Sequence, residues 1–94
     1  MIREQEGRLA VEGAMTHDSA RALLEAGTAA LKPGATVFDL SAVKEVDSSC
    51  LAVIFGWLRA ASAGGKSVTI AHPPASLLSL ADLYGVSEML PLAT

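Results

Sequence analysis

Residues 36–58 read TVFDLSAVKEVDSSCLAVIFGWL and predict a strand that is followed by a helix. The run from Thr36 to Leu40 is short, mostly apolar and rich in β-formers, which is typical of a strand covered on at least one face. The helix is predicted from Ser48 to about Ala63, where the pair Gly64-Gly65 ends it.

The residues before this segment predict a hairpin and a helix. Residues 2–6 and 8–12 are expected to form two strands joined by a tight turn at Gly7. A helix is predicted from Thr16, whose side chain can cap its start. Its end is predicted at Lys32-Pro33-Gly34, which provide a cation, a helix breaker and a turn residue in that order. Gly27, inside this helix, is expected to allow close packing on the sheet.

The residues after the segment continue the alternation of strands and helices. Residues 67–71 alternate as a strand, residues 74–84 predict a third helix, and a last turn is expected at 87–90. The order ββαβαβα predicts an α/β protein with a mixed sheet, whose later strands run parallel and are connected through helices.

Length and composition limit the chain to one small domain. Its 94 residues, taken as a single domain over 1–94, have room for one core, and 51% of them are apolar while only 18% are charged. Such a surplus of apolar residues predicts an exposed binding face. The net charge of −3, without a basic run, argues against nucleic acid or an anionic membrane surface as the partner.

Several features favour a cytosolic protein that does not insert into a membrane. The single cysteine, Cys50, cannot form an internal disulfide, and the N-terminus lacks the apolar region of a signal peptide. The longest nearly uncharged stretch, residues 46–58, contains Asp47 and is shorter than the roughly 20 residues that a spanning helix needs.

The second helix is apolar on nearly all sides, and Arg59 is its only charge. One stripe of side chains at helical spacing is predicted to face the core: Leu51, Ile54, Phe55 and Leu58. A second stripe is predicted to bind another protein, with Trp57 as its anchor: Cys50, Val53, Trp57 and Ala60. The alternative is a helix wedged between two layers, with the second stripe buried under the C-terminal helix.

The start of this helix carries a second candidate feature. In Asp47-Ser48-Ser49 the hydroxyl of Ser48 can cap the helix. Alternatively, Ser48 is a phosphorylation site: the helix dipole would tolerate the phosphate, and the added charge would repel a close partner. Asp47 is expected to shape the start of the helix.

Three short runs resemble the signature of the STAS family: Phe38-Asp39-Leu40-Ser41, Val46-Asp47-Ser48-Ser49 and Leu51-Ala52-Val53-Ile54. The resemblance extends over almost the whole chain. It implies a STAS fold, a small sheet of about four or five strands with helices mainly on one face. It also implies that Ser48, the first hydroxyl residue after the aspartate, is regulated or contacts a partner.

The C-terminal run LADLYGV at residues 80–86, followed by Leu90-Pro91, is similar to STAS subunits of phospholipid-transport ABC complexes. This similarity implies a non-catalytic subunit that binds and supports the cytoplasmic ATPase subunit at the inner membrane. The contact would be formed by Ser48 and its helix, with these residues: Ser48, Ser49, Cys50, Val53 and Trp57.

The sequence departs from the family pattern at two positions. Cys50 stands where the family usually has Gly, which leaves a helix cap intact but adds a thiol. Thr16 stands where the family often has Asp, which removes a carboxylate near the regulated hydroxyl.

The alternative within the family is an anti-sigma-factor antagonist, in which a serine kinase phosphorylates Ser48 and so releases the partner. Catalysis is not expected, because Cys50, His17 and His72 lack the arrangement of a nucleophile and an oriented base. Asp39 and Asp47 have no third ligand at a metal-binding spacing, and nothing indicates a cofactor.

Tyr84 of the third helix is expected in the core, together with Leu77, Leu80 and Leu83. The alternative is that Tyr84 and Asp82 contact a partner.

Overall fold

The structure, a computed structural model, describes residues 1–93 and shows alternating strands and helices. The strands are β1 (Ile2–Gln5), β2 (Arg8–Met15), β3 (Ala35–Val46) and β4 (Ser67–Ala71). The helices are α1 (Ala20–Ala29), α2 (Ser49–Ala63) and α3 (Ala75–Leu83), followed by a short 3₁₀ turn, Ser87–Met89. This order confirms the predicted α/β class.

Within the described residues the four strands form one mixed sheet in the order β1-β2-β3-β4. The β1–β2 pair is antiparallel, whereas β2–β3 and β3–β4 are parallel. Glu6 and Gly7 both have positive φ, at 53° and 79°, which is the geometry of a two-residue hairpin turn whose twist matches the strands. The predicted hairpin and the parallel later strands are therefore confirmed.

Residues 91–93 add a single bridge at the free edge of β4. The amide of Ile70 donates to the carbonyl of Pro91, and the amide of Ala93 donates to the carbonyl of Ile70, each at 2.8 Å. Leu92 thus pairs in parallel with Ile70, and the C-terminal residues cover part of an edge that would otherwise be open.

The helices lie on one face of the sheet, as predicted. The inward side chains of the central strands meet Leu23 of α1, Trp57 of α2 and Leu77 of α3 in one core. On the opposite face Ala10 and Asp39 remain partly exposed. One layer of helices therefore covers one side of one sheet.

β3 is much longer than the predicted 36–40. Its second half continues to Val46 because β2 also continues and pairs with it, from Glu12 beside Ala42 to Met15 beside Val46, with register shifts along the way. Residues 41–46 carry a weak strand signal, so the pairing with β2 decides their conformation.

The first helix begins at Ala20, and the prediction that Thr16 caps it is wrong. Residues 16–19 form a turn in which the Ser19 hydroxyl accepts a hydrogen bond from the Thr16 amide and donates one to the carbonyl of Ala14. The next amide, that of His17, donates to the carboxylate of Asp47, which lies across the fold. The chain therefore enters the helix one turn later than the local sequence suggests.

Candidate functional site

The predicted docking stripe of α2 lies inside the protein. Cys50, Val53 and Trp57 are 0%, 2% and 0% exposed. The prediction that these three side chains form an exposed partner-binding face is therefore wrong, and the alternative, a buried second stripe, is correct for them. The alternative is wrong about the cover, which is α1 and not the C-terminal helix, since α1 packs on this side of α2.

Trp57 is the centre of this buried side. Its ring stacks on Phe38 of β3, with centroids 3.9 Å apart, and its Nε1 donates to the carbonyl of Leu23 at 3.1 Å. α1 approaches so closely that a Cβ on Gly27 would lie 2.2 Å from Trp57 Nε1. The close packing predicted at Gly27 is confirmed, although its partner is the indole of α2 and not the sheet.

The other stripe of α2 is divided between the core and the surface. Leu51 and Ile54 are buried, as predicted. Phe55 and Leu58 are only partly buried, and they form one wall of an apolar groove whose opposite wall lies after α3. The exposed apolar face of α2 is therefore the one that periodicity alone assigns to the core.

This apolar groove consists of two adjoining depressions that share Phe55 and Val86. One, of about 300 Å³, is lined by Ser48, Leu51, Phe55, Tyr84 and Val86. The other, of about 470 Å³, is lined by Phe55, Leu58, Arg59, Val86 and Met89. Ser48 thus lies at one end of the groove and Arg59 at the other.

Tyr84 and Met89 are 58% and 63% exposed. Tyr84 was predicted in the core with a partner contact as the alternative, whereas Met89 was not named by the sequence analysis. Tyr84 and Leu83 were predicted in the core together with Leu77 and Leu80. Leu77 is fully buried and Leu80 partly buried, but Leu83 is 76% exposed, so the prediction is wrong for Leu83 and Tyr84. α3 ends at Leu83, and Gly85, with φ of 71°, turns the chain away. Gly85 was the signal in the sequence that the core-facing stripe of α3 ends before Tyr84.

The carboxylate of Asp47 organises the start of α2. Its Oδ1 accepts from the Ser49 amide at 2.8 Å, and its Oδ2 accepts from the His17 amide at 2.9 Å. Hydrogen bonds from these two amides hold the pKa of the Asp47 carboxyl below its usual value, against a smaller opposing effect of burial. Asp47 therefore shapes the helix start, as predicted, and also ties it to the β2–α1 turn.

Ser48 makes no side-chain capping hydrogen bond, so the prediction that its hydroxyl caps α2 is wrong. Asp47 already accepts from the amide of Ser49, and Ser48 has helical φ and ψ of −61° and −20°. Ser48 is exposed at the end of the groove, while Ser49 is half-buried beside it. Of the five predicted contact residues, only these two have exposed surface.

Cys50 lacks the properties of a nucleophile. Burial, with a smaller effect from the charge of Asp47, raises the pKa of its thiol to about 11. Reactive cysteines instead have lowered pKa values and access to solvent. Within residues 1–93 no three His, Cys, Asp or Glu side chains are grouped closely enough to hold a metal ion.

None of the helices in residues 1–93 combines the length and the apolar character that crossing a membrane requires.

Comparisons of the whole chain agree with this architecture. Two solved structures share the fold: a Thermotoga maritima protein assigned as an anti-sigma factor antagonist, and the anti-sigma factor antagonist SpoIIAA in its unphosphorylated form. The first has a TM-score of 0.74 at 15% identity, over 98% of this chain and 83% of that one. The second has a TM-score of 0.73 at 13% identity, over 100% of this chain and 87% of that one.

Sequence comparison gives a more specific relationship. The intermembrane phospholipid transport system binding protein MlaB of Haemophilus influenzae is 37% identical over 51 residues, which are 54% of this chain and 49% of that protein. The match therefore spans about half the length of this curated relative. The model of the family described as Mlab, STAS domain, matches residues 2–91. Because that match covers almost the whole chain, the protein belongs to the MlaB-type STAS domain family.

Proposed function

We propose that this STAS domain is a non-catalytic subunit that binds and supports the cytoplasmic ATPase subunit of a phospholipid-transport ABC complex. The family membership and the MlaB relative support the transport system as the setting. In this proposal the protein is cytoplasmic and reaches the inner membrane only through its complex.

The apolar groove is the observation that carries the proposal. Phe55, Tyr84, Val86 and Met89 keep apolar surface in water although the core beside them is well packed. Contiguous exposed apolar surface of this kind on a small domain is typical of a protein-binding site. The groove also begins at Ser48, which the STAS resemblance implies is regulated or contacts a partner.

If the partner binds at this groove, each predicted contact residue has a specific role. Tyr84 is the large amphipathic anchor, a residue type that is enriched among energetically dominant interface contacts. Ser48 lines the end of the groove with a small side chain, and Ser49 follows it in the chain, so a partner can approach the start of α2 closely. Cys50, Val53 and Trp57 act indirectly, because they hold α2 against α1 and the sheet.

Co-expression with the ABC-type ATPase subunit of the same organism tests the proposal. We expect a stable complex with the wild-type protein and a loss of affinity of at least about ten-fold for Ser48→Glu, because the new charge must be desolvated in the contact. Ser76→Glu is the matched control, since it adds the same charge in the first turn of α3, outside the groove. Failure of the wild-type protein to bind the ATPase would refute the proposal.

A second pair of variants tests the groove itself. Tyr84→Ala removes a side chain that lines the groove, whereas Leu83→Ala removes a more exposed neighbour that lines neither depression. We expect only the first to weaken the complex. Equal effects of the two substitutions would place the contact elsewhere.

The second candidate function, an anti-sigma-factor antagonist switched by a serine kinase, is favoured by one observation. The hydroxyl of Ser48 is exposed and free of a capping role, so a kinase has access to it. The fold shared with SpoIIAA agrees with this possibility. Phosphate on Ser48 in protein isolated from its native cell, together with capture of a serine kinase and not an ATPase, would favour this function over the transport subunit.

A further inference from the structure

The apolar groove has the shape and chemistry to receive a helix. It follows α2 from Ser48 to Arg59, which at 1.5 Å per residue is about 16 Å, or three helical turns. Its walls are a helix on one side and residues 84–89 on the other, and none of the strands described within residues 1–93 lines it. An extended peptide would find no strand edge there to pair with its backbone, whereas a helix satisfies its own backbone hydrogen bonds.

The lining of the groove carries a charge opposite in sign to the net charge of the protein, while Asp82 and Glu88 line a separate depression. The whole chain has a net charge of −3, yet among the described residues the only charged side chain that lines the groove is the cation Arg59. The ion pairs found within residues 1–93 use other cations: Arg3, Arg8, Arg21 and Lys32. Arg59 is exposed and makes no ion pair in this part of the chain.

We propose that the groove binds an amphipathic helix of the partner, with its apolar stripe against Phe55, Val86 and Met89 and an acidic side chain beside Arg59. The inference rests on the proposed function, in which the partner is the ATPase subunit. The apolar contacts supply the affinity, and the pairing with Arg59 fixes the direction and register of the incoming helix. Ser48, at the opposite end, then faces a small or uncharged residue about three turns away along the same helix.

Charge reversal at Arg59 tests this pairing in the purified complex with the ATPase subunit. Arg59→Glu is expected to weaken binding about ten-fold. Arg59→Ala is expected to lower the association rate and the salt dependence of that rate, because charges at the rim of an interface act mainly on association. Arg21→Glu is the control: it makes the same charge change on a helix surface, at a side chain that is 92% exposed and lines neither depression.

Photo-crosslinking identifies the helix that occupies the groove. A photoreactive residue in place of Met89 is expected to crosslink to one amphipathic helix of the ATPase subunit that carries an Asp or Glu. Replacing that acid by Arg should restore binding to Arg59→Glu and weaken binding to the wild-type protein.

The possible failures are distinguishable. If the wild-type protein binds the ATPase but Arg59→Glu binds equally well, or the crosslinks fall on a loop or a strand, this inference is wrong and the proposed function stands. If the wild-type protein does not bind the ATPase at all, both are wrong.

Discussion

The indole of Trp57 lies parallel to the ring of Phe38, with an angle of 3° between their planes and 3.9 Å between their centroids. The contact joins the middle of α2 to the central strand β3, and both rings are fully buried. Its position explains why α2 has one orientation on the sheet: the largest side chain of the helix must enter the core, and so the smaller apolar residues Phe55 and Leu58 are left at the groove.

Truncation of this indole should damage the fold before it affects any docking. We expect Trp57→Ala to lower the free energy of unfolding by about 3–5 kcal/mol, because it leaves a cavity between α1, α2 and β3. Urea unfolding followed by circular dichroism measures the change. Tyr84→Ala, a truncation of an exposed aromatic residue, is the control and should cost far less. A loss below about 1 kcal/mol for Trp57→Ala would show that the indole is not a core residue.

Gly27→Ala should destabilise the protein although alanine is the better helix former by about 1 kcal/mol. The new methyl group would lie within 2.2 Å of Trp57 Nε1 and 2.4 Å of Cε2, atoms of a ring that stacks on Phe38 and donates to the carbonyl of Leu23. At Gly56 the nearest atom to a new Cβ is instead the end of the flexible Leu24 side chain, so Gly56→Ala should cost less.

Thermal unfolding of the two glycine variants compares these costs. If Gly27→Ala raised the midpoint of unfolding, the close approach of α1 to the indole would be contradicted. The cost of Gly27→Ala should also fall in a Trp57→Phe background, because the smaller ring leaves room for the methyl group.

The Asp47 carboxylate should make stability depend on pH in acid. Its pKa in the folded protein is lowered below the ordinary value of 3.8 by the amides of His17 and Ser49. The ionised carboxylate therefore stabilises the fold at pH values above the unfolded pKa, and this stabilisation is lost as the pH falls through the lower, folded pKa. Asp47→Asn removes the titration, so its urea midpoint should fall less steeply below about pH 4 than that of the wild type.

Asp39 keeps some acid dependence in the Asp47→Asn variant. Burial raises the pKa of the Asp39 carboxyl, but hydrogen bonds from Ser41 and the charges of His72 and Arg8 outweigh it and lower the pKa overall. Asp82→Asn, a change at an exposed carboxylate of α3, is the control and should leave the acid profile of the wild type intact. An unchanged profile for Asp47→Asn would show that its two hydrogen bonds do not persist in solution.

The thiol of Cys50 should be unreactive in the folded protein. It is fully buried, and its pKa of about 11 leaves roughly one thiolate in a thousand at pH 8. We expect labelling by a thiol reagent only as fast as the protein opens, with a large acceleration in urea. A cysteine at the exposed Ser62, in a Cys50→Ser background, should label at once. Rapid labelling of Cys50 without denaturant would contradict the burial of this side of α2.

Local sequence alone determines much of this protein. The apolar run of residues 36–40, the glycines at 64 and 65, and the turn at Gly7 mark the strands and helices, because each acts through its own backbone preferences and its nearest neighbours. The Asp47-Ser48-Ser49 run, within the wider resemblance, is likewise sufficient to identify the STAS family, and it places one end of the candidate site.

The tertiary structure alone decides which apolar face of α2 is exposed and which is buried. Since α2 is apolar on nearly all sides, helical periodicity cannot distinguish the stripe of Trp57 from the stripe of Phe55; Gly27 does so by letting α1 come close to the indole. The turn before α1 is likewise joined to the start of α2 by the hydrogen bond from the His17 amide to Asp47, which are 30 residues apart in the chain. Contacts across such separations depend on how the elements pack, and no local pattern in the sequence carries that information.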